Sequence, residues 1–225
     1  MKQLETLLNQ ASQEKRDALA KLLPPEIFKK GEPASTEKII KAIRWAHDDS
    51  ILRTAFAAPK SYLEILQSVA KHLEINLPVD ENNDAAIEQR ICQKVMTGVL
   101  AKMDDSQRAA FIAAIDKEYG RNSSFIGTGG VAATLAAGKL GGFSTYMLAS
   151  SGLAAVSGAA GLTLPFAAYT GLSTALGTVL GPAGWISLGL FALLKSRGPS
   201  YDKLIAAILY IAMLRNEPAD MAVNT

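Results

Sequence analysis

From Ser123 to Leu194 the only charged residue is Lys139, and the 55 residues from Leu140 to Leu194 carry no charge at all. A run of this kind has no polar face to turn toward water, so it must be buried completely or offered to an apolar environment. The same region holds 14 of the chain's 18 glycines, between Gly127 and Gly189. Glycine inside a helix costs about 1 kcal/mol relative to alanine, so close approach of helix backbones has to compensate. Residues 1–122 are of another kind, with 18 basic and 18 acidic residues. Composition therefore divides the chain into a charged helical domain, 1–122, and a Gly/Ala-rich apolar helical domain, 123–225.

The first part reads as short amphipathic helices with clear breakers. Leu4, Leu7 and Leu8, then Leu19, Leu22 and Leu23, keep helical spacing up to Pro24-Pro25, where a helix cannot continue. Ile39, Ile40, Ile43 and Trp45 predict a second helix after Thr36. Ser61-x-x-Glu64, following Pro59, is a capping box that opens a helix carrying Leu63, Ile65, Leu66, Val69 and Leu73. The polar stretch Val79 to Asp84 leads into a longer helix with Ile87, Ile91, Val95, Val99 and Leu100 along one side. Asp104-x-x-Gln107 predicts a further helix with Phe111, Ile112 and Ile115, closed by Gly120. No strand pattern competes, and the expected fold class is all-α.

The second part changes character. Apolar segments run from Phe125 to Lys139, Phe143 to Leu164, Phe166 to Leu180, Ala183 to Leu194 and Tyr201 to Arg215, punctuated by Gly141-Gly142, Pro165 and Gly181-Pro182. They predict a helical bundle or hairpin unit. Phe143 to Leu164 would be about 33 Å long as a helix, against a bilayer core of about 30 Å. Its Phe, Leu and Val residues contribute only about 2–4 kcal/mol toward insertion, so entry into a membrane is expected to be conditional. Gly130, Thr134, Gly138 and Gly142 recur every four residues, echoed by Gly177 and Gly181, which puts small residues on one helix face where backbones can approach. A tightly packed soluble Ala/Gly bundle is the competing account of that ladder. Lys195, Arg197, Lys203 and Arg215 bracket the unit as basic residues suited to anionic lipid, although charge at helix C-termini explains such residues equally well in isolation.

Catalytic material is sparse. His47 and His72 are the only histidines and Cys92 the only cysteine, too few for a zinc site or a Cys/His pair, and Cys92 reads as a small core residue. Trp45-Ala46-His47-Asp48-Asp49 reads as a helix end. Gly127-Thr128-Gly129-Gly130-Val131-Ala132 fits a dinucleotide fingerprint in letters alone, because no strand precedes it and no acidic residue follows before Asp202. Gly138-Lys139 lacks the first glycine and the hydroxyl of a P-loop. No cofactor, metal or enzymatic activity is expected. A net charge of +2 gives no basic footprint for nucleic acid. One cysteine and a start without an apolar h-region fit a cytoplasmic chain with conditional association with the inner membrane.

Ser61-Tyr62-Leu63-Glu64-Ile65-Leu66, Lys71-His72-Leu73-Glu74-Ile75, Ile87-Glu88-Gln89 and Lys102-Met103-Asp104-Asp105, with the closing Leu204 to Arg215, resemble the YaaW-like family of bacterial proteins, with Ala206 where that family is expected to have proline. The resemblance covers most of the chain and, through the family's grouping with ubiquinol-cytochrome c chaperones, implies an all-helical fold without enzyme activity. It transfers no functional residues. The expected function is a non-enzymatic, membrane-active helical protein, permeabilising or toxin-like, with membrane lipid as partner and self-association through the small-residue face. The alternative is a soluble helical chaperone or adaptor that binds another protein through the apolar unit.

Overall fold

The structure, a computed structural model, describes residues 1–29, 31–48, 58–102, 105 and 200–217. Within them the chain forms α1 (Lys2–Gln10), α2 (Gln13–Lys21), a 3-10 turn at Pro25–Ile27, α3 (Thr36–Asp48), α4 (Tyr62–His72), α5 (Asp84–Lys102) and α6 (Tyr201–Arg215). The described residues are helical with no strand, as the periodicity predicts. The expected helix after Asp104, the small-residue ladder and the apolar segments up to Leu194 lie outside the described residues.

Local chemistry sets most of the boundaries. The leucine spacing between Leu4 and Leu23 reads as continuous, yet Ala11 is extended and Ser12 caps a new helix by accepting from Lys15 N–H at 3.4 Å. Arg16 then folds back onto the last carbonyls of α1, donating to Ala11 O at 2.6 Å and Leu8 O at 3.2 Å. Ser35 caps α3 through Lys38 N–H. The capping box at Ser61 forms in full: the hydroxyl accepts from Glu64 N–H at 3.2 Å, and the Glu64 carboxylate accepts from Ser61 N–H at 2.7 Å. Asn83 accepts from Ala85 and Ala86 N–H and starts α5.

After α4 the chain turns through Glu74, whose φ of 55° is left-handed, while Ile75 N–H reaches back to Ala70 O at 2.8 Å. This is a Schellman-type closure built without glycine. Leu73, Ile75 and Leu77 lie against the core as the chain crosses to α5.

One apolar core joins all six helices. Leu4 and Leu8 come from α1, Leu19 from α2, Ile39 and Ile43 from α3, Ile65, Leu66 and Val69 from α4, and Ile87, Ile91, Val95 and Met96 from α5. At its centre is α6, in which Leu204 to Leu214 are buried without a break. A helix that is apolar on every side belongs inside, and α6 packs on α2, α3, α4 and α5. This bears on the division drawn from composition. Tyr201–Arg215 resembles the preceding apolar segments in content, but it completes the core of the charged part rather than extending away from it.

Candidate functional site

The structure brings together a buried polar cluster that no short motif announces. Asp84, Glu88 and Cys92 lie four residues apart on the inner side of α5, Tyr62 opens α4, and Arg215 ends α6. Arg215 donates from Nε to Glu88 Oε2 at 2.8 Å and from Nη2 to Oε1 at 3.0 Å, a two-point fork between planar groups. Glu88 is fully buried. Burial pushes its carboxyl above the ordinary range, opposed by the two hydrogen bonds from the guanidinium. Tyr62, also fully buried, has its phenol pushed well up by burial and by the neighbouring Glu88 carboxylate, and its Oη makes no hydrogen bond of ordinary geometry. Burial likewise pushes the Cys92 thiol up, which leaves it inert as a nucleophile. Tyr62, Glu88 and Cys92 are fully buried among the described residues, whereas the Arg215 side chain keeps 19% of its surface exposed. They clamp the end of α6 to α5.

A second set of contacts fixes the start of α6. Ser200 N–H donates to Ala46 O, near the end of α3, at 2.8 Å. Tyr201 stacks on His72 with ring centres 3.9 Å apart and planes 3° from parallel, and its hydroxyl lies 3.1 Å from Ser68 Oγ. Burial pulls the His72 imidazole below the ordinary histidine range. His47, next to Ala46, is 5% exposed and sets Nδ1 3.0 Å from Asp48 Oδ1. Both imidazoles keep a buried Nε2 without a partner. Just beyond α6, Glu217 pairs with Lys15 of α2 at 2.8 Å. Both histidines therefore stand where α6 begins, and ion pairs hold its other end.

Of the residues singled out in the sequence, Gly130, Thr134, Gly138, Gly142, Gly177, Gly181, Lys195 and Arg197 lie outside the described residues, and so does Val156 in the middle of the segment from Phe143 to Leu164. Lys203 is partly exposed on the first turn of α6. Arg215, expected to face lipid, is instead turned inward onto Glu88, because a buried carboxylate needs a cation more than a helix end does. Glu88 itself was missed. Its position between Ile87 and Ile91 on the inner side of α5 was the available signal, whereas its partner lies 127 positions away.

An open groove between α1 and α3 presents Glu5 and Glu37 beside Arg16, Lys41 and Arg44, with no histidine or cysteine in its lining. Among the described residues no group of three or more His, Cys, Asp or Glu side chains could hold a metal ion. Among them, too, no helix is long and apolar enough to cross a membrane.

The chain is similar to a UPF0174 protein of Helicobacter pylori (strain J99), 29% identical over 181 residues that span 80% of this chain and 70% of that protein. The likeness is thus to a bacterial protein. No protein-family model matches the chain, and no solved structure matches it.

Proposed function

We propose that this chain is a non-enzymatic, membrane-active protein in which a helical body holds a Gly/Ala-rich unit and gives it up to a bilayer, which it permeabilises. The observation that carries this reading is the position of α6. The helix that follows the uncharged stretch is the buried centre of the body, pinned by Ser200 and Tyr201 at one end and by Arg215 and Glu217 at the other. An uncharged stretch anchored to a folded body on both flanks can leave and return without the body coming apart. The resemblance to YaaW-like proteins, and their chaperone grouping, belong to the second reading, a soluble adaptor that binds another protein's helix through the same unit.

Dye release from liposomes tests the first reading. Release is expected to be stronger with anionic than with neutral lipid and weaker at high salt, because attraction near the surface is worth about 1 kcal/mol per Lys or Arg and is screened over about 10 Å. Lys195, Arg197 and Lys203 are the residues that supply it. Val156→Asp adds about 3 kcal/mol to the insertion of Phe143 to Leu164 and is expected to abolish release while the protein stays folded. A folded wild type that neither binds nor leaks any of these vesicles would favour the adaptor.

A further inference from the structure

We propose that the start of α6 is an acid-operated latch, in which protonation of His72 releases Tyr201 and Ser200 from the body while the far end of α6 stays seated. The device belongs to the helical body alone and holds whether or not the chain acts on a membrane. Three contacts fix this end: the Tyr201 ring lies on the His72 ring, its hydroxyl meets Ser68 Oγ, and Ser200 N–H donates to Ala46 O. Ser68 and His72 are four residues apart on α4, so one face of that helix supplies both partners of Tyr201. Two of the three contacts thus depend on where the Tyr201 side chain lies.

An imidazole suits this place only when it is neutral. His72 Nε2 is closed from solvent and has no hydrogen-bond partner. A neutral ring can turn a bare nitrogen there and carry its proton on Nδ1, whereas an imidazolium has N–H on both nitrogens and must strand one of them. Burial accordingly holds the imidazole below the ordinary histidine range. The face of Tyr201 pulls the other way, since a π-face attracts a cation, yet an imidazolium stacked on it at 3.9 Å would still leave Nε2–H without an acceptor. The charged and titratable groups on the elements around the stack are Lys71 and Glu74 beside His72, Asp202 and Lys203 beside Tyr201, Arg90 and Lys94 on α5, and His47 with Asp48 on α3. Among the described residues none of them pairs with the His72 ring, and His47 keeps to Asp48. An imidazolium at His72 therefore finds no carboxylate partner there.

The far end of α6 answers acid differently. It holds no imidazole: Arg215 is forked onto Glu88, and Glu217 pairs with Lys15. Burial raises the Glu88 carboxyl, so acidification acts there with the opposite sign to its action on His72. Between the two ends, Leu204 to Leu214 includes no Asp, Glu, Lys, Arg or His. The first turn of α6 can therefore loosen while the rest of the helix keeps its burial. Because the His72 imidazole is lowered in the closed state, the latch is fully favoured above about pH 6.5. Each pH unit below that, down to the folded value, multiplies the ratio of released to closed latch by up to about ten.

Amide hydrogen exchange followed by NMR on the full chain tests the latch, with each rate corrected for the intrinsic pH dependence of exchange. As pH falls below about 6.5, protection of the Ser200 amide is expected to drop by up to about tenfold per pH unit, with the midpoint at which the His72 ring itself titrates, while Met213 keeps its protection. An unchanged Ser200 overturns the latch. So does equal loss at Ser200 and Met213, which would be unfolding of the whole helix. A His72 ring that titrates above the ordinary histidine value would show that attraction to the Tyr201 face wins, and overturns it as well. His72→Phe keeps a ring on Tyr201 without a titrating nitrogen and is expected to hold Ser200 protection level across the window, whereas His47→Gln is expected to retain the wild-type drop. The reverse pattern makes His47 the sensor and overturns the assignment to His72. Where His72→Phe fails to fold, agreement or disagreement of the Ser200 and His72 midpoints in the wild type decides the matter.

Discussion

Arg215 reaches Glu88 across 127 positions of sequence, and the carboxylate it meets is fully buried. Removing one partner of a buried pair leaves an uncompensated charge, which costs about 3–5 kcal/mol, whereas replacing both with apolar groups of similar volume is often nearly neutral. Arg215→Met is therefore expected to lower the urea midpoint sharply, and Glu88→Leu combined with Arg215→Met to recover most of the loss. A single substitution that leaves the midpoint unmoved would show that the fork contributes nothing. Titration supplies a second expectation, in which the two ends of α6 act with opposite signs. The Glu88 carboxyl is raised in the folded state, so its contribution is greatest at low pH and is lost as pH rises through the folded value. The His72 imidazole is lowered, so its contribution is present at neutral pH and is lost as pH falls below about 6.5 toward the folded value. Unfolding free energy measured across that window should fall with acidification in the wild type and fall less in His72→Gln; equal slopes would remove His72 from the account.

At the scale of single elements, the helices begin where short polar side chains can reach the first free N–H groups. Ser12, Ser35, Ser61 and Asn83 do this for α2, α3, α4 and α5. The capping box at Ser61 was legible because both partners lie within one turn. The break at Ser12 was not, since leucines on either side of it happen to keep helical spacing. The end of α4 is less well suited. Glu74 holds a left-handed conformation that costs an L-residue about 1–2 kcal/mol, and glycine adopts it freely at some cost in unfolded-chain entropy. Glu74→Gly is expected to raise stability by about 0.5–1 kcal/mol in thermal melts, and Glu74→Val to lower it. A lower melting temperature for the glycine variant would mean that the glutamate makes a compensating contact.

For the whole molecule, the decisive element is α6. Leu204, Ile205, Ile208, Leu209, Ile211, Met213 and Leu214 are all buried; at about 1.5–3 kcal/mol each, their gross contribution is comparable to the entire net stability of a typical domain. A fragment of residues 1–122, the domain that composition suggests, is therefore expected to lack cooperative melting. Residues 1–102 joined to 200–217 by a short polar linker are expected to melt cooperatively. Cooperative unfolding of the 1–122 fragment by itself would restore the simpler division of the chain.

By itself the sequence determined the helical character of the described residues, because periodicity and capping act over three or four positions and need no distant partner. Ile39 and Ile43, Ile65 and Val69, and Ile87 and Ile91 each marked a buried face in this way. Composition also marked α6 as apolar from Leu204 to Leu214. Only the tertiary structure decided that α6 lies inside the charged part, that Arg215 faces Glu88 instead of solvent, and that His72 meets Tyr201. The physical reason is that hydrophobic burial has no direction: an all-apolar helix is satisfied by any core. The choice between neighbours in sequence and partners more than a hundred residues away rests on complementary shape and on the buried Glu88 carboxylate, which Arg215 matches.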